Sequence, residues 1–215
     1  ARGDYVKALG YLEQSLKISQ EIGDRQGVGQ CLNNISQIYQ ARGDYGKALG
    51  YLEQSLKICQ QIGDRYVEGA ALNNIAQIYQ AREDYVKAMG YLEQSLKIMQ
   101  QLGDRSGEGT TLNNISGIYQ ARGDYGKALG YLEQSLKIMQ EIGDTNGMAQ
   151  CFHNMGAMQY EQENWEAAVP YIAQAYSIWN KIGLPNADTS KSYLSALSEK
   201  LGEARVQEIL QQQNQ

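Results

Sequence analysis

The chain has 215 residues, 42% of them hydrophobic, enough apolar material for a substantial core. No stretch approaches the roughly 18 apolar residues of a membrane span, and no charged-then-apolar leader opens the chain. The net charge of −5 comes from 19 basic and 24 acidic residues interspersed without runs, which excludes the basic stripe of a nucleic-acid surface.

One pattern of forty letters recurs along the chain. Residues 41–80 read ARGDYGKALGYLEQSLKICQQIGDRYVEGAALNNIAQIYQ, and nearly the same letters fill 1–40, 81–120 and 121–160, the last drifting after Gly143. A fixed period of this length predicts stacked supersecondary units. Here the prediction is all-α: a right-handed superhelical solenoid of antiparallel helix pairs. It has about four pairs, an unpaired N-terminal helix and C-terminal capping helices. The predicted divisions are 1–23 for the unpaired second helix, then 24–63, 64–103, 104–143 and 144–183 for the pairs, and 184–215 for the capping helices and tail.

In chain order, the first helix is predicted from Asp4 to about Ile22, with Gly3 closing a helix that is missing from the sequence. Its uncovered apolar face is an association hazard. From Asp24 onward each Gly-Asp step, such as Gly43-Asp44 and Gly63-Asp64, stops one helix and starts the next. Glycine supplies the left-handed closing residue and aspartate caps the free N–H groups that follow. Glu83 replaces the glycine before Asp84, so that turn carries strain or closes differently.

On a helical wheel the first helix of a pair groups Val28, Leu32, Ile35 and Tyr39, flanked by Cys31 and Ile38. Gln30, Asn33, Asn34, Gln37, Gln40 and Ala41 fall on the other side. The second helix is apolar over nearly half its circumference, from Tyr45, Ala48, Leu49, Leu52, Ser55, Leu56, Cys59 and Ile62, and therefore packs on two sides. Tyr11, Tyr51, Tyr91 and Tyr131 border that arc and are expected to pack. Ala48, Ala88, Ala128 and Ala168 form one column of small residues, and Ser36, Ala76, Ser116 and Gly156 another, each placed where helices approach. Beyond Gly183-Leu184-Pro185 the period ends. Tyr193, Leu194, Leu197 and Leu201 make a capping helix with Lys191, Ser192, Ser195, Ser198 and Glu199 outward. Val206, Ile209 and Leu210 make a shorter helix before a Gln-rich tail.

These residues resemble a tetratricopeptide repeat. Leu72 takes that family's first large position, Ile75-Ala76 its Leu-Gly step, Tyr79 its aromatic, Ala88 its second-helix alanine and Leu92 the large residue after it. Two departures stand out: Ser15, Ser55, Ser95 and Ser135 replace a later alanine that returns only at Ala175, and Gln60, Gln100 and Gln140 replace the closing proline. The lost proline lets the second helix run on, giving a forty-residue period in place of roughly thirty-four. The longer unit is similar to the repeats of LGN/Pins-type scaffolds, kinesin light chains and bacterial regulatory arrays, over residues 1–183.

The resemblance implies a concave groove lined by the first helices, with matching asparagines bonding the backbone of an extended peptide. Here those positions are Asn33, Asn34 and Gln37; Asn73, Asn74 and Gln77; Asn113 and Asn114; and His153 and Asn154, with Gln30 and Gln150 a turn earlier. An amide both donates and accepts, so it can satisfy both groups of a peptide unit. A solvated polar face, or asparagines bonding to one another along the ladder, is the alternative. The copies differ most near the start of the first helix, at Gln26, Tyr66, Ser106 and Asn146, and at Gln30, Ala70, Thr110 and Gln150.

Catalysis has little support: His153 is the only histidine, and Cys31, Cys59 and Cys151 lie at no metal-ligand spacing. The odd cysteine count suits a reducing compartment, and a cytoplasmic setting is predicted. Arg-Gly-Asp at 2–4, 42–44 and 122–124 is explained by stop and cap alone. The predicted function is therefore a non-catalytic scaffold for a protein or peptide partner, without cofactor, metal, nucleic acid or membrane. The alternatives are an array that self-associates through its N-terminal helix, or a sensor segment of a signalling protein.

Overall fold

This computed structural model describes residues 2–212, with side chains from residue 5 onward, and among those residues it holds helices and no strand. Two compact units divide it between Gly107 and Glu108. The first contains α1 (Arg2–Glu21), α2 (Arg25–Ala41), α3 (Tyr45–Ile62), α4 (Arg65–Ala81) and α5 (Tyr85–Leu102). The second contains most of α6 (Arg105–Ala121), then α7 (Tyr125–Ile142), α8 (Thr145–Glu161), α9 (Trp165–Ile182), α10 (Asn186–Leu201) and α11 (Glu203–Gln212).

The helix ends follow from the Gly-Asp steps. Asp24, Asp64 and Asp144 accept from the backbone N–H three residues on, at 2.9, 3.1 and 2.9 Å, and Asp44, Asp84 and Asp124 do so at 3.2 Å. The closing glycines have positive φ, for example +75° at Gly43 and +73° at Gly63. Glu83 resolves the question raised by its sequence. Its φ is +61°, and Glu83 N and Asp84 N bond Gln80 O and Tyr79 O at 2.9 Å, just as Gly43 N and Asp44 N bond Gln40 O and Tyr39 O. The turn closes identically and holds a side chain in the left-handed region; Glu163 does the same at +61°.

In the first unit α3 packs both on its own partner α2 and on α4 of the next pair, as its wide apolar arc requires. Ala48 and Leu52 of α3 meet Ala71, Ile75 and Ile78 of α4 in one cluster. In the second unit Ala128 and Leu132 meet Met155 and Met158, and Ala168, Val169 and Ile172 of α9 are covered by Leu197 and Val206 of the capping helices. The serines that displaced the family's alanine have a local reason. Ser55, Ser95 and Ser135 hydroxyls donate to the carbonyls of Gly29, Gly69 and Gly109 at 2.7, 2.9 and 2.7 Å, inside each pair. Where the pairing residue becomes Ala149, the serine becomes Ala175 and both are fully buried.

Three expectations need correction. Helix α1 starts at Arg2 and runs through Asp4, whose side chain, like tail residues 213–215, lies outside the described set. Tyr11 is 72% exposed and does not pack, whereas Tyr51, Tyr91 and Tyr131 stack on Tyr39, Tyr79 and Tyr119 at 5.4, 5.6 and 5.4 Å between centroids. Those three stacking partners come from the first helix of the same pair, α2, α4 and α6 respectively. Asn33, assigned by the wheel to the open side of α2, is only 4% exposed.

Candidate functional site

The asparagine positions lie on the first helices, and their geometry is described separately for the two units. In the first unit α2 and α4 run side by side. Asn74 Nδ2 donates to Asn33 Oδ1 at 3.0 Å, and Gln40 Nε2 donates to Gln77 Oε1 at 3.1 Å. Adjacent first helices are thus laced by amide–amide bonds, which is why Asn33 is buried: it is the acceptor in a side-to-side contact that a single-helix wheel does not contain. Asn73 is 9% exposed, while Asn34 and Asn74 are half-buried and Gln30 and Gln37 are open to solvent.

In the second unit Asn154 Nδ2 donates to Asn113 Oδ1 at 3.0 Å, repeating the Asn74–Asn33 bond one period on, and Gln150 Nε2 donates to Asn154 Oδ1 at 3.0 Å. Asn113, Asn114, Gln150 and Asn154 are all half-buried. His153 does not join this set. Its Nδ1 lies 2.9 Å from Ser190 Oγ of α10, and its ring packs against Trp179 at 5.4 Å and Tyr193 at 5.3 Å. Burial there pushes its imidazole below the usual histidine range. The substitution of histidine for asparagine at this position serves the capping helix.

The face is nearly free of charge at the ladder positions. Charged side chains gather instead at the turns, where Lys47, Lys87 and Lys127 pair with Asp44, Asp84 and Asp124 and sit 5.2, 5.1 and 5.3 Å from the rings of Tyr39, Tyr79 and Tyr119. The bond to lysine holds the Asp84 and Asp124 carboxyls below the usual carboxylate range. Arg42 lies over the Tyr39 ring at 5.8 Å. Among the described residues no group of three His, Cys, Asp or Glu side chains converges as a metal site, and no helix is long and apolar enough to cross a membrane. Cys59 and Cys151 are buried with thiols pushed up by desolvation, which disfavours the reactive thiolate.

Two further residues belong with the ladder. Asn146 accepts from Trp179 Nε1 at 2.8 Å, and together with Thr110, Asn113 and Gln150 it lines a cavity of about 200 Å³ in the second unit. Both Asn146 and Thr110 fall at the first-helix positions where the copies differ, which was the available signal.

The described residues thus form an all-α array of helix pairs, with α2 laced to α4 and α6 to α8 by side-chain amides. Residues 1–61, 67–141 and 107–181 match the tetratricopeptide repeat, and the chain belongs to that family. Solved structures of the same fold include BtubC (BKLC) from P. vanneervenii, 18% identical with a TM-score of 0.74, covering 98% of this chain and 92% of that one. The nearly identical TPR-like repeats described as a kinesin light chain of Podosopora anserina are 21% identical, with a TM-score of 0.62 over 85% of this chain and 92% of that one. A Rap protein complexed with Competence and Sporulation Factor is 16% identical, with a TM-score of 0.66 over 95% of this chain and 60% of that one. No curated protein matches the chain in sequence.

Proposed function

We propose that this chain is a non-catalytic scaffold that holds an extended peptide segment of a protein partner against the amide faces of its first helices. The observation that carries it is the uncharged row of amides along the first helices, in which Gln30 and Gln37 stay open to solvent while the Asn74–Asn33 and Asn154–Asn113 bonds hold their neighbours in place. Each bond restrains the rotamers of the side chains it joins. Fixing the side chains in advance lowers the ordering cost of binding. An extended peptide offers alternating N–H and C=O groups, which such a row can meet without charge, so capture should depend little on salt. The family supports an interaction scaffold, and the Rap structure, solved with a factor bound, supports a fold that can hold such a ligand.

The test is selection of a random-peptide display library on the immobilised chain, compared with two variants. Asn74→Ala with Asn154→Ala removes both lacing donors but orphans their acceptors, Asn33 and Asn113. Asn34→Ala with Gln37→Ala removes outward amides and orphans nothing with a recorded partner. Selected peptides should bind both variants about tenfold more weakly, the equivalent of one or two net hydrogen bonds. Equal binding to both, with helicity retained, would remove the groove from consideration.

A second reading has its own observation. Helix α1 exposes Tyr11 and Ile18, two turns apart on one face, at 72 and 57%, with Ile22 just beyond the helix at 71%, an apolar face suited to self-association. Light scattering across concentration, with Tyr11→Glu and Ile18→Glu as control, distinguishes the two: a strict monomer throughout leaves the scaffold reading alone.

A further inference from the structure

The second unit's cavity of about 200 Å³ lies among α6, α7 and the start of α8, and its polar walls are oriented. A carboxamide has one oxygen and one NH₂. Gln150 commits its Nε2 to Asn154 Oδ1, and Asn154 commits its Nδ2 to Asn113 Oδ1, each at 3.0 Å. The relay therefore runs one way. It leaves Gln150 Oε1 as an open acceptor at one end and Asn113 Nδ2 as an open donor at the other, and both residues line the cavity. Asn146 adds a second donor, because Trp179 Nε1 occupies its Oδ1 at 2.8 Å and turns its NH₂ away. The floor is small and apolar: Met139 and Gly147, where an added Cβ would meet Met139 Sδ at 2.5 Å.

The near-identical copies act as an internal control. One period-pair earlier, in α4, position 146 is Tyr66, position 150 is Ala70 and position 147 is Val67, which is 2% exposed. There Cys59 stands in place of Met139, and Asp64 Oδ2 is sealed from solvent without a partner. Asn33, the counterpart of Asn113, is 4% exposed, whereas Asn113 is half-buried. The open acceptor and the second donor are thus present in the α8 copy and absent from the α4 copy.

We propose that this cavity is a side-chain pocket for a carboxamide, the glutamine or asparagine of a bound peptide. The ligand oxygen accepts from Asn113 and Asn146, and its NH₂ donates to Gln150 Oε1. A carboxylate in its place would meet Gln150 without a proton to give and would lie in a pocket lined by Asp144. An ammonium could donate to Gln150 Oε1 and approach the Asp144 carboxylate, but it has no acceptor for the Asn113 and Asn146 NH₂ groups. The neutral amide alone satisfies both ends. The proposal rests on the groove reading for the peptide that carries the side chain, but the pocket's preference can be measured without that peptide.

The experiment is an NMR titration of the whole chain with N-acetyl-glutamine methylamide, N-acetyl-glutamate methylamide and N-acetyl-alanine methylamide. The glutamine probe should shift the side-chain amide signals of Asn113, Asn146 and Gln150 and bind about tenfold more tightly than the alanine probe. Gln150→Ala, which restores the residue found at Ala70, should abolish that preference. So should Met139→Cys with Gly147→Val, which installs the Cys59/Val67 combination the chain already folds with. Equal binding of the alanine probe would show backbone-amide recognition only and overturn the proposal. So would a glutamate probe that binds as well, or no shift with any probe up to tens of millimolar. If the glutamine probe binds while display selection enriches no peptide, the pocket stands and the groove falls.

Discussion

Gly156→Ala offers a direct test of how the small-residue columns work. Gly156 stands in α8 where other pairs carry Ser36, Ala76 and Ser116, so an alanine there looks harmless by sequence. In the structure a Cβ at Gly156 would lie 2.6 Å from both Cδ1 and Cγ1 of Ile172 and 3.1 Å from the Ile172 backbone nitrogen. The facing residue in the other pairs is Leu52, Leu92 or Leu132, whose branch lies one carbon further from its backbone. Alanine in a helix interior gains about 0.5–1 kcal/mol over glycine. Overpacking of this kind costs about 1–3 kcal/mol, leaving a net loss of up to about 2.5 kcal/mol. Gly130→Ala in the same unit meets nothing within 4 Å and should show the gain alone. Adding Ile172→Leu recreates the Ala76/Leu92 combination and should recover about 1 kcal/mol or more as a coupling energy. Urea titration followed by tryptophan fluorescence suits the purpose, because the chain's two tryptophans, Trp165 and Trp179, both lie on α9 in this unit. If Gly156→Ala shifts the midpoint upward as Gly130→Ala does, or if leucine at 172 gives no rescue, the column does not act through side-chain collision.

Two other outcomes follow from single residues. Glu83→Gly and Glu163→Gly relieve non-glycine residues at φ +61° and should each raise stability by about 1 kcal/mol, read by circular dichroism for the first and tryptophan fluorescence for the second; a lower midpoint would refute strain at these turns. His153 is the only histidine, and burial lowers its folded-state pKa beneath the unfolded value, so the unfolded chain binds the extra proton. Its contribution is therefore fully present above pH about 6.5 and is lost as pH falls through the depressed folded value. Stability of the second unit should decline from pH 7.5 to 5.5, and His153→Asn, the residue of the other copies, should flatten that profile; an equal slope in the variant would place the effect elsewhere.

The caps and faces were legible because they are local. Asp at most helix starts and glycine at most ends act within four residues, and the half-circle of apolar residues on α3 announces two packing partners. The serine column was visible as a departure from the family, but its cause was not, since Ser55 and Gly29 lie far apart in sequence and meet only across the pair. The ladder was visible as repeated letters. Whether its asparagines faced a ligand, water or each other depended on the lateral spacing of adjacent first helices, and Asn74 bonding Asn33 is an outcome of that spacing. His153 shows the same limit, because Ser190 and Tyr193 reach it from a capping helix outside the period.

Periodicity alone therefore determined that this chain forms helix pairs, where the helices after α1 turn into one another, and which faces are apolar, because those properties depend on neighbours within one or two turns. Tertiary structure decided which amides are committed and which stay open, where Met139 and Gly147 trade volume for the Cys59 and Val67 of another pair, and which small residue can be enlarged. Those outcomes depend on distances between helices some sixteen to forty residues apart, and near-identical letters in every copy conceal them.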